Sequence, residues 1–201
     1  MLDADAARPS SASTKPVPEQ RRRRSLRQAA ETLVLVHPSV KRLLDDGAVE
    51  DMADDLMIGA DDFTTFNVAV SGREVTLVCI CHAAWRSEER HAFFELKAVA
   101  ATSGRTVVLV PEGFIRREPR LANATMIAGA AGAEIGLTDR MKILTHLIDN
   151  GGSAPLLDLA GMVRGEEPVS AVMALVVEGG LYIDLDSPIL PGTEVHLVQP
   201  L

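Results

Sequence analysis

The side chains able to do chemistry in this chain fall into four groups. Cys79-Ile80-Cys81-His82 places the only two cysteines two residues apart in an apolar, strand-like run. Alternation along a strand puts Cys79 and Cys81 on one face and His82 on the other. A zinc site there would have to recruit distant histidines or acids. The pair therefore reads as small thiols packed in a core, and no metal is assigned to it. Glu95-Leu96-Lys97 sets a carboxylate and an ammonium two residues apart, but within a helical stretch. Residues two apart on a helix point about 200° apart and cannot converge on one ion, so these read as surface charges. Asp45, Asp46, Glu50, Asp51, Asp54, Asp55, Asp61 and Asp62 form an acidic cluster without the alternation or glycine of a calcium loop. It reads as a solvated face, dense enough to suit a basic partner. Two sets of arginines remain: Arg21, Arg22, Arg23, Arg24 and Arg27 near the start, and Arg116, Arg117 and Arg120 in mid-chain. These are the candidates for nucleic-acid phosphates, set against the plainer reading of solvated surface charge. His37, His82, His91, His146 and His196 are scattered, and no pairing of nucleophile and base is evident. The glycines fall at turns and helix ends rather than in a phosphate loop, so no cofactor is expected.

The elements that must position these groups can be read coarsely. Residues 1–25, rich in Ala, Pro, Ser and Arg, hold too little apolar surface to offset ordering and are expected to form a disordered basic tail. A helix is expected over 26–46, broken near His37-Pro38, and then an acidic, irregular stretch to residue 62. Phe63–Val70 and Val75–Cys81 read as strands joined through Ser71-Gly72-Arg73-Glu74, a hairpin link. A helix follows from a Ser87 cap, with Glu88 and Glu89 in its first turn and Phe93, Leu96 and Ala100 along one stripe. Gly104 ends it. Thr106–Pro111 is wholly apolar and suits a strand buried on both faces, parallel to 75–81 through a right-handed crossover. Beyond residue 137 come three short helices: one capped by Thr138, one between Pro155 and Gly165, and one from Pro168 to Gly179-Gly180. Two alternating strands around Pro191-Gly192 close the chain. That order is the layout of a winged helix.

Charge and composition bound the function. The formal net charge is −8, and hydrophobic residues make up 47%. Residues 1–30 carry seven Lys/Arg against three Asp/Glu, whereas residues 137–201 carry three against nine. The basic character thus lies in the tail and the body is acidic. Aromatic residues are 3% of the chain, too few for platforms that stack single-stranded nucleic acid. No apolar run reaches the roughly 20 residues of a membrane helix, and no secretory leader is seen. Two cysteines and no leader suit a reducing, cytoplasmic setting.

Over roughly 140 residues the pattern resembles the TnsA-type endonucleases of transposition systems. FTTFNVAVSGREVTLVCIC matches that family's strand pair, and GRTVVLVPEGFIRREPRLANATMI is similar to its run of Gly, buried strand, Glu, Ile-Arg, Pro, Leu and Asn. The resemblance implies an α/β fold: a restriction-endonuclease-like mixed sheet with flanking helices over 26–136, followed by a small winged-helix domain over 137–201. Nucleases of this kind hold divalent metal with an Asp on the first strand and a Glu-x-Lys on the second. Here those positions are occupied by Phe66, Cys79 and Cys81. Phenylalanine offers no donor, and a thiol is a soft ligand in place of a carboxylate. Moving the register by one residue brings in Asn67 and His82, which do not rebuild the triad. The resemblance therefore implies the scaffold without the catalysis.

Two classes of function stand. One is a non-catalytic interaction or DNA-associated subunit that docks a protein partner. The other is a metal-dependent DNA endonuclease with a rearranged site. A winged-helix transcriptional regulator is a variant of the first, yet the third helix, EEPVSAVMALVVEGG, offers no Arg, Lys, Asn or Gln to base edges. Any binding to duplex DNA is expected to be weak, sequence-tolerant and carried by the arginines named above. The oligomeric state is left open.

Overall fold

A computed structural model of the chain describes residues 18–198. The stretch up to residue 17, most of the expected tail, lies outside them. Helix α1 (Pro18–Val36) opens earlier than the expected residue 26. Proline fits a first helical turn, and the glutamine and arginines that follow are good helix formers. The helix is anchored by Leu26, Ala29 and Ala30, all buried. Pro38 prevents its continuation.

The chain then lays down β1 (Val40–Arg42), α2 (Ala48–Asp55), β2 (Phe63–Val70) and β3 (Arg73–Ile80). Next come α3 (His82–Arg86), α4 (Arg90–Thr102) and β4 (Val107–Pro111). These strands form one mixed sheet in the order β1-β2-β3-β4, flanked by helices on both faces. β2 and β3 are antiparallel, with Phe63 opposite Ile80 and Val70 opposite Arg73. β4 runs parallel to β3, with Thr76 opposite Val107. The antiparallel hairpin and the parallel β3–β4 pairing are those expected from the sequence, but β3 runs Arg73–Ile80 rather than 75–81 because Arg73 and Glu74 join the ladder. The turn is two residues, Ser71-Gly72, with φ of 50° and 78°. Two positive φ values give a turn whose twist matches the strands it joins.

Three expectations are corrected. The acidic stretch is not irregular: it contains α2, which sets Val49 and Ala53 into the core, lets Asp51, Asp54 and Asp55 face water and turns Glu50 to accept the buried Thr65 hydroxyl. Ser87 does not cap α4 directly. Its hydroxyl accepts the Glu89 N–H in a turn that precedes the helix at Arg90. β4 is not covered on both sides, for it is the edge of the sheet and Val108 is 41% exposed.

The two faces of the sheet carry separate cores. Phe63, Val78, Ile80 and Val107 pack against α2 and α4, with the Phe63 and Phe93 rings edge to face. Phe66, Val68 and Cys79 pack against α1.

Two helices, α5 (Glu112–Ile115) and α6 (Arg120–Gly129), lead to the last third. There α7 (Leu137–Asp149), β5 (Ser153–Pro155), α8 (Leu156–Ala160), α9 (Pro168–Val177), β6 (Leu181–Ile183) and β7 (Glu194–Leu197) follow in turn. A three-residue strand, β5, intervenes where none was expected, making a second antiparallel sheet in the order β5-β7-β6. α7 starts at Leu137 behind Gly136, so Thr138 lies inside the helix rather than capping it. α8 ends at Ala160, well before Gly165. α9 is not amphipathic: Ala171 through Val176 are all buried, because neighbours surround it. The core of this region also takes in Val36 of α1 and Ala124, Ile127 and Ala130 of the α6 segment. Apolar packing therefore runs across the expected boundary at residue 137. No helix among the described residues is long and apolar enough to cross a membrane.

Candidate functional site

The positions singled out by resemblance lie on the face of the sheet beneath α1. Thr64 is directly opposite Cys79 and Phe66 opposite Leu77, and residues opposed in an antiparallel pair share a face. Phe66 is fully buried and Cys79 is 2% exposed. Arg27 of α1 stands over the Phe66 ring at 5.1 Å, and Arg42 of β1 at 5.5 Å. Cations at this distance are attracted by the ring's negative face. Acids hold both guanidiniums in place: Arg27 pairs with Glu31 at 3.3 Å and Asp45 at 3.5 Å, and Arg42 with Glu31 at 3.0 Å. Arg27 also donates to the Thr64 hydroxyl at 3.4 Å. The centre of this face is thus an aromatic ring capped by a charged lattice.

The thiols differ. Desolvation pushes the Cys79 thiol up to about 12. In this setting it stays protonated at neutral pH. Cys81 is half-buried at the end of β3. Its sulfur accepts the Ala84 N–H at 3.5 Å, capping α3, and its thiol lies 3.7 Å from Asp62 Oδ1. Burial first, and the Asp62 charge as well, raise its pKa.

Sequence reasoning missed the corner around Cys81. Asp62 precedes β2 and accepts the Cys81 N–H through its carbonyl at 2.8 Å. Glu112 follows β4, accepts the His82 N–H at 2.8 Å and pairs with Arg116 at 2.6 Å. Burial opposes ionisation of Glu112, but Arg116 and the His82 N–H together hold its carboxyl below the ordinary range. The signal was legible in part, since both acids sit at strand ends where the sheet brings chain segments together. Among the described residues no group of three or more His, Cys, Asp or Glu is placed to hold a metal ion. Glu95 and Lys97 are exposed on α4.

The structure sorts the arginines. Arg21 lies in α1, and Arg22 and Arg24 are exposed on it, with Arg23 half-buried. Arg27 and Arg116 are engaged as described, and Arg116 also donates to the Ser25 hydroxyl at 2.9 Å. That bond ties Arg116 to α1, the helix that carries Arg21–Arg24. Arg120 is only 15% exposed. It makes a two-pronged pair with Asp186 at 2.9 and 2.7 Å and stacks on Phe114 at 4.3 Å. Its role is to hold the loop between β6 and β7 against α6, with Asn123 donating to the Leu185 and Ser187 carbonyls. Arg117 is exposed. Compared with known proteins, the sequence matches no family model and no curated protein.

Proposed function

We propose that this chain is a non-catalytic nuclease-fold protein, TnsA-like in descent, acting as an interaction or DNA-associated subunit. The element order supports the descent: α1, three antiparallel strands, α4 and a parallel fourth strand, with α2 and α3 as additions. One observation carries the loss of catalysis. Where the family's metal-binding Asp would stand, Phe66 is fully buried beneath Arg27 and Arg42. An ion there would have to displace a ring and two cations, and would find no hard oxygen donor on Phe66, Cys79 or Cys81.

The last third is proposed as a winged-helix docking module. The order α7-β5-α8-α9-β6-β7 supports that layout. Burial of α9 argues against base reading, because a recognition helix must present polar side chains to the major groove. A protein partner fits better, and the region's excess of acids suits a basic one.

DNA contact, in this reading, is electrostatic and secondary. Among the described side chains it falls to the exposed arginines Arg22, Arg24 and Arg117, with Arg116 bonded to Ser25 of α1. The test is a duplex titration at several salt concentrations. Alanine at all three positions should flatten the slope of log affinity against log salt by up to about three units, at about 0.9 per phosphate contact. Point changes are needed because a deletion through residue 27 would also remove Leu26 from the core. Tight, sequence-selective binding unchanged by the triple variant would reject the reading in favour of a winged-helix regulator.

A further inference from the structure

We infer that the open edge of β4 is a homodimer interface, at which two copies of the chain join strand to strand, antiparallel, about a two-fold axis at Leu109. The backbone points there first. Thr76 N–H donates to the Thr106 carbonyl at 2.9 Å. By alternation along a parallel ladder, residues 106, 108 and 110 turn their N–H and C=O groups toward β3, and residues 107, 109 and 111 turn theirs outward. Among the described residues, no backbone hydrogen bond outside the helices and strands reaches the outward groups of Val107 and Leu109, whereas the Pro111 carbonyl takes the first bond of α5. Pro111 falls in the outward set, where its missing N–H breaks no bond within the sheet.

The two edges of the sheet are treated differently. β1, at the far edge, is three residues long and carries exposed Lys41 and Arg42. Such charges are the usual guard against edge pairing. β4 has no charged guard, since Thr106 through Pro111 contains no charged residue, and its one proline, Pro111, lies at the end of the strand. In a molecule of net charge −8, this is a stretch along which two copies can meet without opposing like charges.

The pairing is self-complementary. With Leu109 opposite its mate, the two residues exchange both N–H···O bonds. Each Val107 then lies opposite the other copy's Pro111, whose carbonyl α5 already engages. Val108 comes to lie opposite the other copy's Val110. Both valines line an apolar cavity of about 280 Å³ beside α1, with Phe114, 52% exposed, among its walls. The second copy's valines would cover its mouth, removing exposed apolar surface at Val108 and Phe114 from water.

Sedimentation equilibrium of the full chain tests this, with a substitution that restores the guard. The wild type should dimerise by about 100 µM, and Val108→Lys, at an exposed position of the same edge, should be monomeric with an unchanged circular dichroism spectrum. A wild type that stays monomeric at that concentration, or a dimer that survives Val108→Lys, overturns the interface. Cross-linking reads the register without relying on that variant. Facing residues of a hydrogen-bonded pair have Cα atoms about 5.5 Å apart, within disulfide range, whereas Val108 and its own mate are offset by two residues and lie beyond it. In a Cys81→Ser background, Leu109→Cys should therefore oxidise to a covalent dimer and Val108→Cys should not. Equal cross-linking by both, or by neither, contradicts the register.

Discussion

Phe66 holds its place through packing and through charge together. Its ring is buried against α1 and lies under two guanidiniums, which Glu31 and Asp45 fix in turn. Phe66→Ala should cost about 3–5 kcal/mol of unfolding free energy, the usual range for a buried phenylalanine. Phe66→Leu, which keeps most of the volume, should cost less, and urea titration of the two measures the difference. The thiols make a contrasting pair. In the native protein Cys81 should react with a thiol reagent and Cys79 should not, until denaturant exposes it. Glu112 ties acid stability to the corner at the strand ends. Its folded-state pKa lies below the unfolded value, so its contribution is present at neutral pH and lost as pH falls through the folded pKa. The stability difference between wild type and Glu112→Gln should therefore be largest above about pH 5 and vanish in strong acid. A difference that grows as pH falls would refute the assignment.

At the scale of elements, the hairpin is where local chemistry and topology agree most closely. Ser71 takes a positive φ of 50°, a region that suits asparagine better than serine. Ser71→Asn should raise stability by a few tenths to about 1 kcal/mol, read as a shift in denaturant midpoint at constant slope. The hairpin, the parallel crossover and α4 were legible because each has a single dominant signal: alternation, an apolar run or a 3.6-residue stripe. α2 was hidden because eight acids obscured its stripe of Val49, Met52, Ala53 and Leu56. β1 and β5 are three residues each, and their pairing depends on partners far away in sequence. The site was legible in the same uneven way. Phe66 and Cys79 could be placed on one face by counting. That Arg27, Arg42 and Asp45 would meet over Phe66 could not, since it depends on how α1 and β1 dock on the sheet.

Across the whole molecule, one apolar cluster spans residue 137. Ala124, Ile127 and Ala130 lie in the same apolar cluster as Ile143, Leu147 and Val172. Arg120 and Asn123 clamp the loop between β6 and β7. A fragment starting at residue 137 should therefore be poorly folded, whereas one starting near residue 118 should show slow amide exchange in α7 and α9. The proposed loss of nuclease chemistry meets its sharpest test in a cleavage assay. Purified chain should be incubated with supercoiled duplex and magnesium or manganese, alongside Asp62→Ala and Glu112→Ala variants. The account predicts no nicking above the metal-only control for any of the three proteins. Metal-dependent nicking by the wild type that disappears when Asp62 or Glu112 is replaced would contradict it, and would place a rearranged catalytic centre at the Cys81 corner.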